Sequence, residues 1–206
     1  SIEHRGFDAL DVAPDAVTVA HRLDWVTAAG ATVLTERRAL TVTVPDPAAW
    51  VLTWSSVLTN VTDTAFPLGS PAVHGRAGAG YAGLFWRGPR SWTGGDVLVA
   101  GRSGDDDLNG HRGPWLGFTG RHDEGGDAST LVFVDAERNL RHPAPWFVRS
   151  GLYACLCPAP FAEQEYLFAP GTDLALRYAV VVADGEHDPD GAAGLAALGS
   201  KALSQT

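Results

Sequence analysis

Residues 78–92 read GAGYAGLFWRGPRSW, a run in which a tyrosine, a phenylalanine, two tryptophans and two arginines stand among glycines and alanines. On an extended chain alternate side chains share a face. Tyr81, Gly83, Phe85 and Arg87 would then line one face, and Ala82, Leu84 and Trp86 the other. The second set suits a core. In the first, Gly83 leaves a gap between two rings and Arg87 closes it, a setting for a polar ring-shaped ligand held by stacking and a fixed cation. The pattern recurs. WLGFTGR places Trp115, Gly117, Thr119 and Arg121 on one face, and PWFVRS pairs Phe147 with Arg149. A single arginine at a strand end is ordinary, because its stem lies over aromatic neighbours while its head reaches water. Three together favour at least one shared cleft, with Arg87, Arg121 and Arg149 binding substrate beside Tyr81, Phe85, Trp92 and Trp115.

Proton transfer needs other residues. In TERRALTVTV, Glu36 and Arg38 share a face with Leu34, Leu40, Val42 and Val44. A charge in an apolar row needs a partner. Two readings follow, a structural ion pair or a carboxylate tuned for proton transfer. None of the seven histidines has metal-ligand spacing. His21 falls on an apolar face and reads as a satisfied core residue, whereas His4, His74 and His142 each stand where a cleft is within reach. Glu36 and His142 are the candidate acid–base residues.

Other motifs are weaker. DDDLNG at 105–110 places Asp105, Asp107, Asn109 and Gly110 like the first half of a calcium loop. Leu116 stands where the bidentate glutamate belongs, so a solvated loop is expected. There is no HExxH, GxSxG or GxxxxGK, and neither a metal nor a cofactor is expected. Cys155 and Cys157 are too close for an unstrained disulfide and lack a second pair for a metal. They read as buried structural thiols in a reducing compartment.

These residues need a scaffold. The chain has 206 residues, 45% hydrophobic, with Gly 24 and Pro 13; one domain spanning 1–206 with many turns follows. SIEHRGFDAL reads as strand from the outset, and period-two alternation predicts strands over 16–26, 31–44 and 49–60. Further strands are expected near 81–87, 96–100, 115–121, 129–135, 146–150, 161–168 and 173–183. Asp188 as cap and Pro189 in the first turn predict a helix over 189–204, despite three glycines. The fold class is all-β, a large antiparallel β-sandwich with a short C-terminal helix. The formal net charge of -9 argues against nucleic acid or an anionic membrane as partner. No stretch approaches the roughly 20 apolar residues of a membrane span, and no signal peptide is visible, so a cytoplasmic location is expected. The oligomeric state is left open.

GAGYAGLFWRGPR, NLRHPAPWFVRS and YAVVVADGE, in that order, resemble the bacterial PmoA-like family, DUF6807. HRGFDAL, TERRAL and SSVLTNVTD fit it as well. The resemblance covers most of the chain and implies a supersandwich akin to the sugar mutarotases, with a small-molecule, sugar-type ligand. It departs in two ways: the family reads Gly-Tyr-Gly-Gly where Gly80, Tyr81, Ala82 and Gly83 stand, and it carries a His-rich segment upstream, so the resemblance implies that this chain is the C-terminal portion of a longer family domain. The methane-oxygenase sense of the label finds no copper-ligand cluster here. Three functions stay open. One is acid–base chemistry on a sugar or sugar acid, of epimerase, lyase or hydrolase type. The others are a non-catalytic sugar-binding module and a structural or partner-binding sandwich.

Overall fold

Alternating β-branched and aromatic residues pull most of the chain into strands. The computed structural model describes residues 1–123 and 125–205. In chain order the strands are β1 (Ile2–Val12), β2 (Ala16–Val26), β3 (Thr32–Asp46), β4 (Ala49–Asn60), β5 (Phe66–Leu68), β6 (Trp86–Arg87) and β7 (Asp96–Val99). They continue as β8 (Arg102–Gly104), β9 (Trp115–Arg121), β10 (Ala128–Asp135), β11 (Trp146–Arg149), β12 (Cys155–Pro158), β13 (Tyr166–Phe168) and β14 (Asp173–Asp184). One α-helix, α1 (Pro189–Gln205), closes the chain.

Nine strands form one antiparallel sheet in the order β1-β2-β3-β4-β14-β10-β9-β7-β8. A three-stranded sheet, β11-β12-β6, packs on one face, and the pair β13-β5 continues that layer. The residues between the sheets are Val97, Leu116, Phe118, Leu131 and Phe133 from one side, and Trp146, Val148 and Leu156 from the other. The opposite face of the large sheet receives α1, whose Leu195, Ala196 and Leu203 meet Val51, Val132, Val134 and Val181. The fold is therefore all-β with one terminal helix. No helix among the described residues is long and apolar enough to cross a membrane.

Short strands account for most of the differences from expectation. The 81–87 run is strand only at Trp86–Arg87, because Gly83 turns the backbone left-handed at φ 68. The 161–168 run keeps only Tyr166–Phe168. β5, β8 and β12 were not expected. β12 is buried on both sides, so it carries no alternation to see. The Asp105–Gly110 turn is exposed at Asp105, Asp106, Asp107 and Gly110, as expected, and is also pinned: Asp106 Oδ1 accepts from the backbone N–H of Gly151 at 3.1 Å, and Asn109 Oδ1 from that of Val148 at 3.2 Å.

Glu36 is the largest polar exception in this apolar layer. Its side chain is 1% exposed. Oε1 accepts from Arg38 Nε at 2.8 Å and from Ser56 Oγ at 2.7 Å. Oε2 accepts from Arg38 Nη2 at 2.9 Å and from the Trp25 indole at 2.8 Å. β2, β3 and β4 are thus tied through one carboxylate. Burial alone would raise its pKa, but the hydrogen bonds from Arg38, Ser56 and Trp25 with the charge of Arg38 outweigh it, and the net shift is downward.

The helix glycines also have a packing reason. A Cβ at Gly199 would lie 2.8 Å from Val134 Cγ2, whereas one at Gly194 would meet nothing within 4 Å. Gly199 lets α1 approach the sheet; Gly194 does not contribute to that approach. We expect Gly194→Ala to stabilise the protein by about 0.5–1 kcal/mol, and Gly199→Ala to destabilise it by about 1–3 kcal/mol through overpacking. Urea unfolding of both variants checks the contrast, and equal shifts would refute it. We further expect Glu36→Gln to cost about 3 kcal/mol at neutral pH, because the half-buried Arg38 guanidinium keeps its charge and loses the carboxylate that balances it. A carboxyl with a depressed folded-state pKa stabilises above its ordinary value near 4.5 and loses that contribution as the pH falls below it. The gap between wild type and Glu36→Gln should accordingly narrow between pH 7 and pH 3 in the same unfolding experiment.

Candidate functional site

Where β10 leaves the large sheet, Asp135 is buried at 2% exposure. The chain then folds back through Asn139 and His142 onto that carboxylate. Asn139 Nδ2 donates to Oδ1 at 2.7 Å, and the backbone N–H of Ala144 donates to Oδ2 at 3.1 Å. His142 Nδ1 lies 3.0 Å from Oδ2. A carboxylate is an acceptor, so Nδ1 is the donor in this contact, and Nε2 is the nitrogen left for another partner. His142 lines a pocket of about 340 Å³ together with Arg112, Arg141, Pro145, Pro160, Glu163 and Gln164.

The walls of this pocket are fixed by arginine. Arg141 adopts φ 64, a left-handed conformation unfavourable for a side chain of its size. Its guanidinium donates to the carbonyls of Pro160, Gln164 and Glu165. These bonds hold the 160–165 loop, and with it Glu163, against the His142 segment. Arg112 donates to the Pro143 carbonyl at 3.0 Å and pairs with Glu163. A base of fixed tautomer, a carboxylate and two guanidinium groups thus surround one small space. An adjoining hollow, also bounded by Glu163 and Gln164, carries His74, whose Nε2 is 3.3 Å from Glu165 Oε1.

The opening run supplies a second cluster on the small sheet. Arg87, Cys155 and Arg149 are direct cross-strand neighbours, so their side chains share a face and the two arginines are about 10 Å apart across two strand spacings. Arg87 stacks on Tyr153 at 4.3 Å and Arg149 on Phe147 at 4.7 Å. Tyr81 and Phe85 pack on Phe147 at 5.3 and 6.4 Å between centroids. Arg149 also donates to the Gly78 carbonyl at 2.7 Å, which anchors the loop bearing Tyr81. Cys155 and Cys157 lie beneath these rings, free and buried. Burial pushes the Cys157 thiol up to about 12 and that of Cys155 upward too, so both stay protonated and unreactive.

Four expected site residues stand elsewhere. Trp115 is buried on the helix side of the large sheet, beneath α1. Trp92 is buried between the sheets, stacked on Phe118 at 6.2 Å, where it fills the space that Gly120 leaves; a Cβ on Gly120 would lie 2.1 Å from the indole. Neither ring can reach a ligand. Arg121 turns to solvent and pairs with Glu186 at 2.6 Å. Glu36 has both oxygens saturated by four donors, which leaves no lone pair for a substrate proton and makes it scaffold. His21 corrects the sequence reading too: its Nε2 is buried without a hydrogen-bond partner among the described residues.

Sequence reasoning missed Asp135, Arg112, Arg141 and Glu163. The pairing of Asp135 with His142, seven residues apart, follows no motif spacing. The one available signal was an aspartate closing an otherwise apolar strand, LVFVD. Among the described residues no group of three or more His, Cys, Asp or Glu side chains is arranged to hold a metal ion.

Solved structures of similar shape include an α-galactosidase of glycoside hydrolase family 36 from Geobacillus stearothermophilus, in complex with raffinose. It is 14% identical with a TM-score of 0.48, over 95% of this chain and 29% of that one. Another is a Klebsiella pneumoniae subsp. pneumoniae protein provisionally described as an aldose 1-epimerase. It is 13% identical with a TM-score of 0.41, over 92% of this chain and 56% of that one. The chain thus spans less than two thirds of the length of either. A search of curated proteins found no match. Residues 1–197 match the model of DUF6807, a family of unknown function, and the chain belongs to that family.

Proposed function

We propose that the protein performs acid–base chemistry on a carbohydrate, with His142 as the group that moves the proton. The observation that carries this reading is the contact of His142 Nδ1 with buried Asp135 at 3.0 Å, in a residue that also lines a polar pocket. Asp135 fixes the tautomer and stabilises the imidazolium formed when Nε2 accepts a proton. Arg112 and Glu163 bring donors and an acceptor to the same space, a combination suited to sugar hydroxyls.

The simplest reaction these groups support is opening of a cyclic hemiacetal. His142 Nε2 takes the proton of the anomeric hydroxyl, and the electron pair left on that oxygen forms the carbonyl as the bond from the anomeric carbon to the ring oxygen breaks. The ring oxygen takes a proton from water. Rotation of the carbonyl and the reverse steps give the other anomer and return the proton from His142. Nothing is oxidised or reduced, and no further reactant is consumed.

A non-catalytic sugar-binding role is the second reading, favoured by the two arginine–ring stacks at Arg87 and Arg149 on the small sheet. Tyr81 and Phe85 would stack on the sugar there, and the arginines would hold hydroxyl or carboxylate groups.

Anomer interconversion of a panel of aldoses and uronic acids, followed by proton NMR, tests the first reading. The wild type should accelerate at least one member, and His142→Ala should lose about 10²–10⁴-fold of that acceleration, the usual effect of removing a general base. Asp135→Asn should lose part of it, since an amide can present a donor to Nδ1 and release the tautomer. An unchanged rate in His142→Ala refutes the assignment. For the second reading, Arg87→Lys should weaken sugar binding measured by calorimetry, because a planar stacked fork becomes a point charge, while leaving the rate at His142 unaltered.

A further inference from the structure

β1, β2, β3 and β4 bring two rows of side chains into register on one face of the large sheet. Phe7, His21, Arg38 and Ser56 are direct cross-strand neighbours, and so are His4, Leu23, Glu36 and Leu58 in the next row. The ring of His4 lies 4.6 Å from that of Phe7 and 5.4 Å from that of His21. Phe7 is 65% exposed although it is a large apolar residue. Arg38 meets Glu36 through its Nε–Nη2 edge, which directs Nη1 away from the carboxylate, and its guanidinium lies over the Trp54 ring at 5.7 Å. Beside it, His21 Nε2 is buried without a hydrogen-bond partner among the described residues. A buried polar atom left unpaired costs free energy unless something else satisfies it. This cluster shares no residue with the pocket around His142.

We infer that His4, Phe7, His21 and Arg38 form a second binding site, for a neutral ring-bearing ligand with vicinal hydroxyl groups. The charge balance selects neutrality. Glu36 cancels Arg38, and burial, with the nearby charge of Arg38, holds the His21 imidazole below its ordinary pKa, so the site adds no net cation for an anion to meet. The unpaired nitrogen selects a hydroxyl. A hydroxyl donates to Nε2 in one tautomer and accepts from it in the other, and a neighbouring hydroxyl accepts from Arg38 Nη1. The exposed Phe7 ring then covers the apolar face of the ligand. Access to Nε2 requires the Phe7 or His4 side chain to turn aside; both are exposed, and both sit on the edge strand β1.

Titration of the protein with methyl glucoside and, separately, with the sodium salt of methyl glucuronide tests this, with the histidine imidazole resonances followed by NMR. Neither glycoside has a free anomeric hydroxyl, so neither is a substrate for hemiacetal opening. The neutral glycoside should give saturable shifts at His21 and His4, with at least tenfold weaker binding of the glucuronide. His21→Phe, which keeps a ring but has no nitrogen, and Phe7→Ala should each weaken binding at least fivefold, and His142→Ala should leave it unchanged. Tighter binding of the glucuronide, unaltered binding in His21→Phe, or the absence of any saturable shift at His21 would overturn the inference. Loss of binding in His142→Ala would show instead that the ligand occupies the other pocket and would overturn it as well.

Discussion

A carboxyl group buried at 2% exposure must find donors inside the protein, and Asp135 obtains them by the folding back of the next nine residues. Asn139, His142 and the Ala144 backbone converge on its two oxygens. Asn139 in turn exchanges bonds with the backbone of Arg177 on β14, so the loop is fastened to the centre of the large sheet as well as to its own strand. Everything in the candidate pocket hangs from this arrangement. It places the imidazole, and it sets the strained backbone at Arg141, whose guanidinium then secures the opposite wall. Loss of the Asp135 carboxylate would therefore disturb a whole loop, which is why Asp135→Asn, which keeps an acceptor and the shape, is the more informative substitution.

The fold was legible where each strand has one wet face and one dry one. β2, β3, β4 and β14 stand close to their expected bounds, and so does β9, although both of its faces are covered. β12 does not alternate, because both of its faces are covered, and β5 and β8 span three residues each, too short for a period to register. The terminal helix was announced by its cap. Asp188 Oδ1 accepts from the Gly191 backbone at 2.8 Å, and the glycine that weakened the helical pattern at 199 is the one that lets the helix sit close to the sheet.

The site was legible only within single strands. Period two correctly groups Trp115 with Thr119 and Arg121, but it cannot say which layer covers that face. Here α1 covers Trp115 and leaves Arg121 at the strand end in solvent. Arg87 and Arg149 do share a face, yet their relation depends on the unrecognised β12 lying between them. Asp135, Arg112 and Glu163 come together through loops, whose paths are set by individual hydrogen bonds and not by periodicity, so no spacing in the sequence could have joined them.

Glu36 and Asp135 pose the same problem, a carboxyl group inside an apolar layer, and their donors lead to different consequences. Glu36 takes a guanidinium, an indole and a hydroxyl. None of these can give up a proton near neutral pH, so the arrangement binds three strands and does nothing more. Asp135 takes an amide, a backbone N–H and an imidazole. The imidazole alone has a second nitrogen that can accept or donate a proton, and that residue lines an open pocket. Burial and charge pairing alone would rank Glu36 first as a catalytic candidate. The identity of the donor reverses the order, because a carboxylate whose oxygens are already taken up by donors can serve proton transfer only through a partner that itself exchanges a proton.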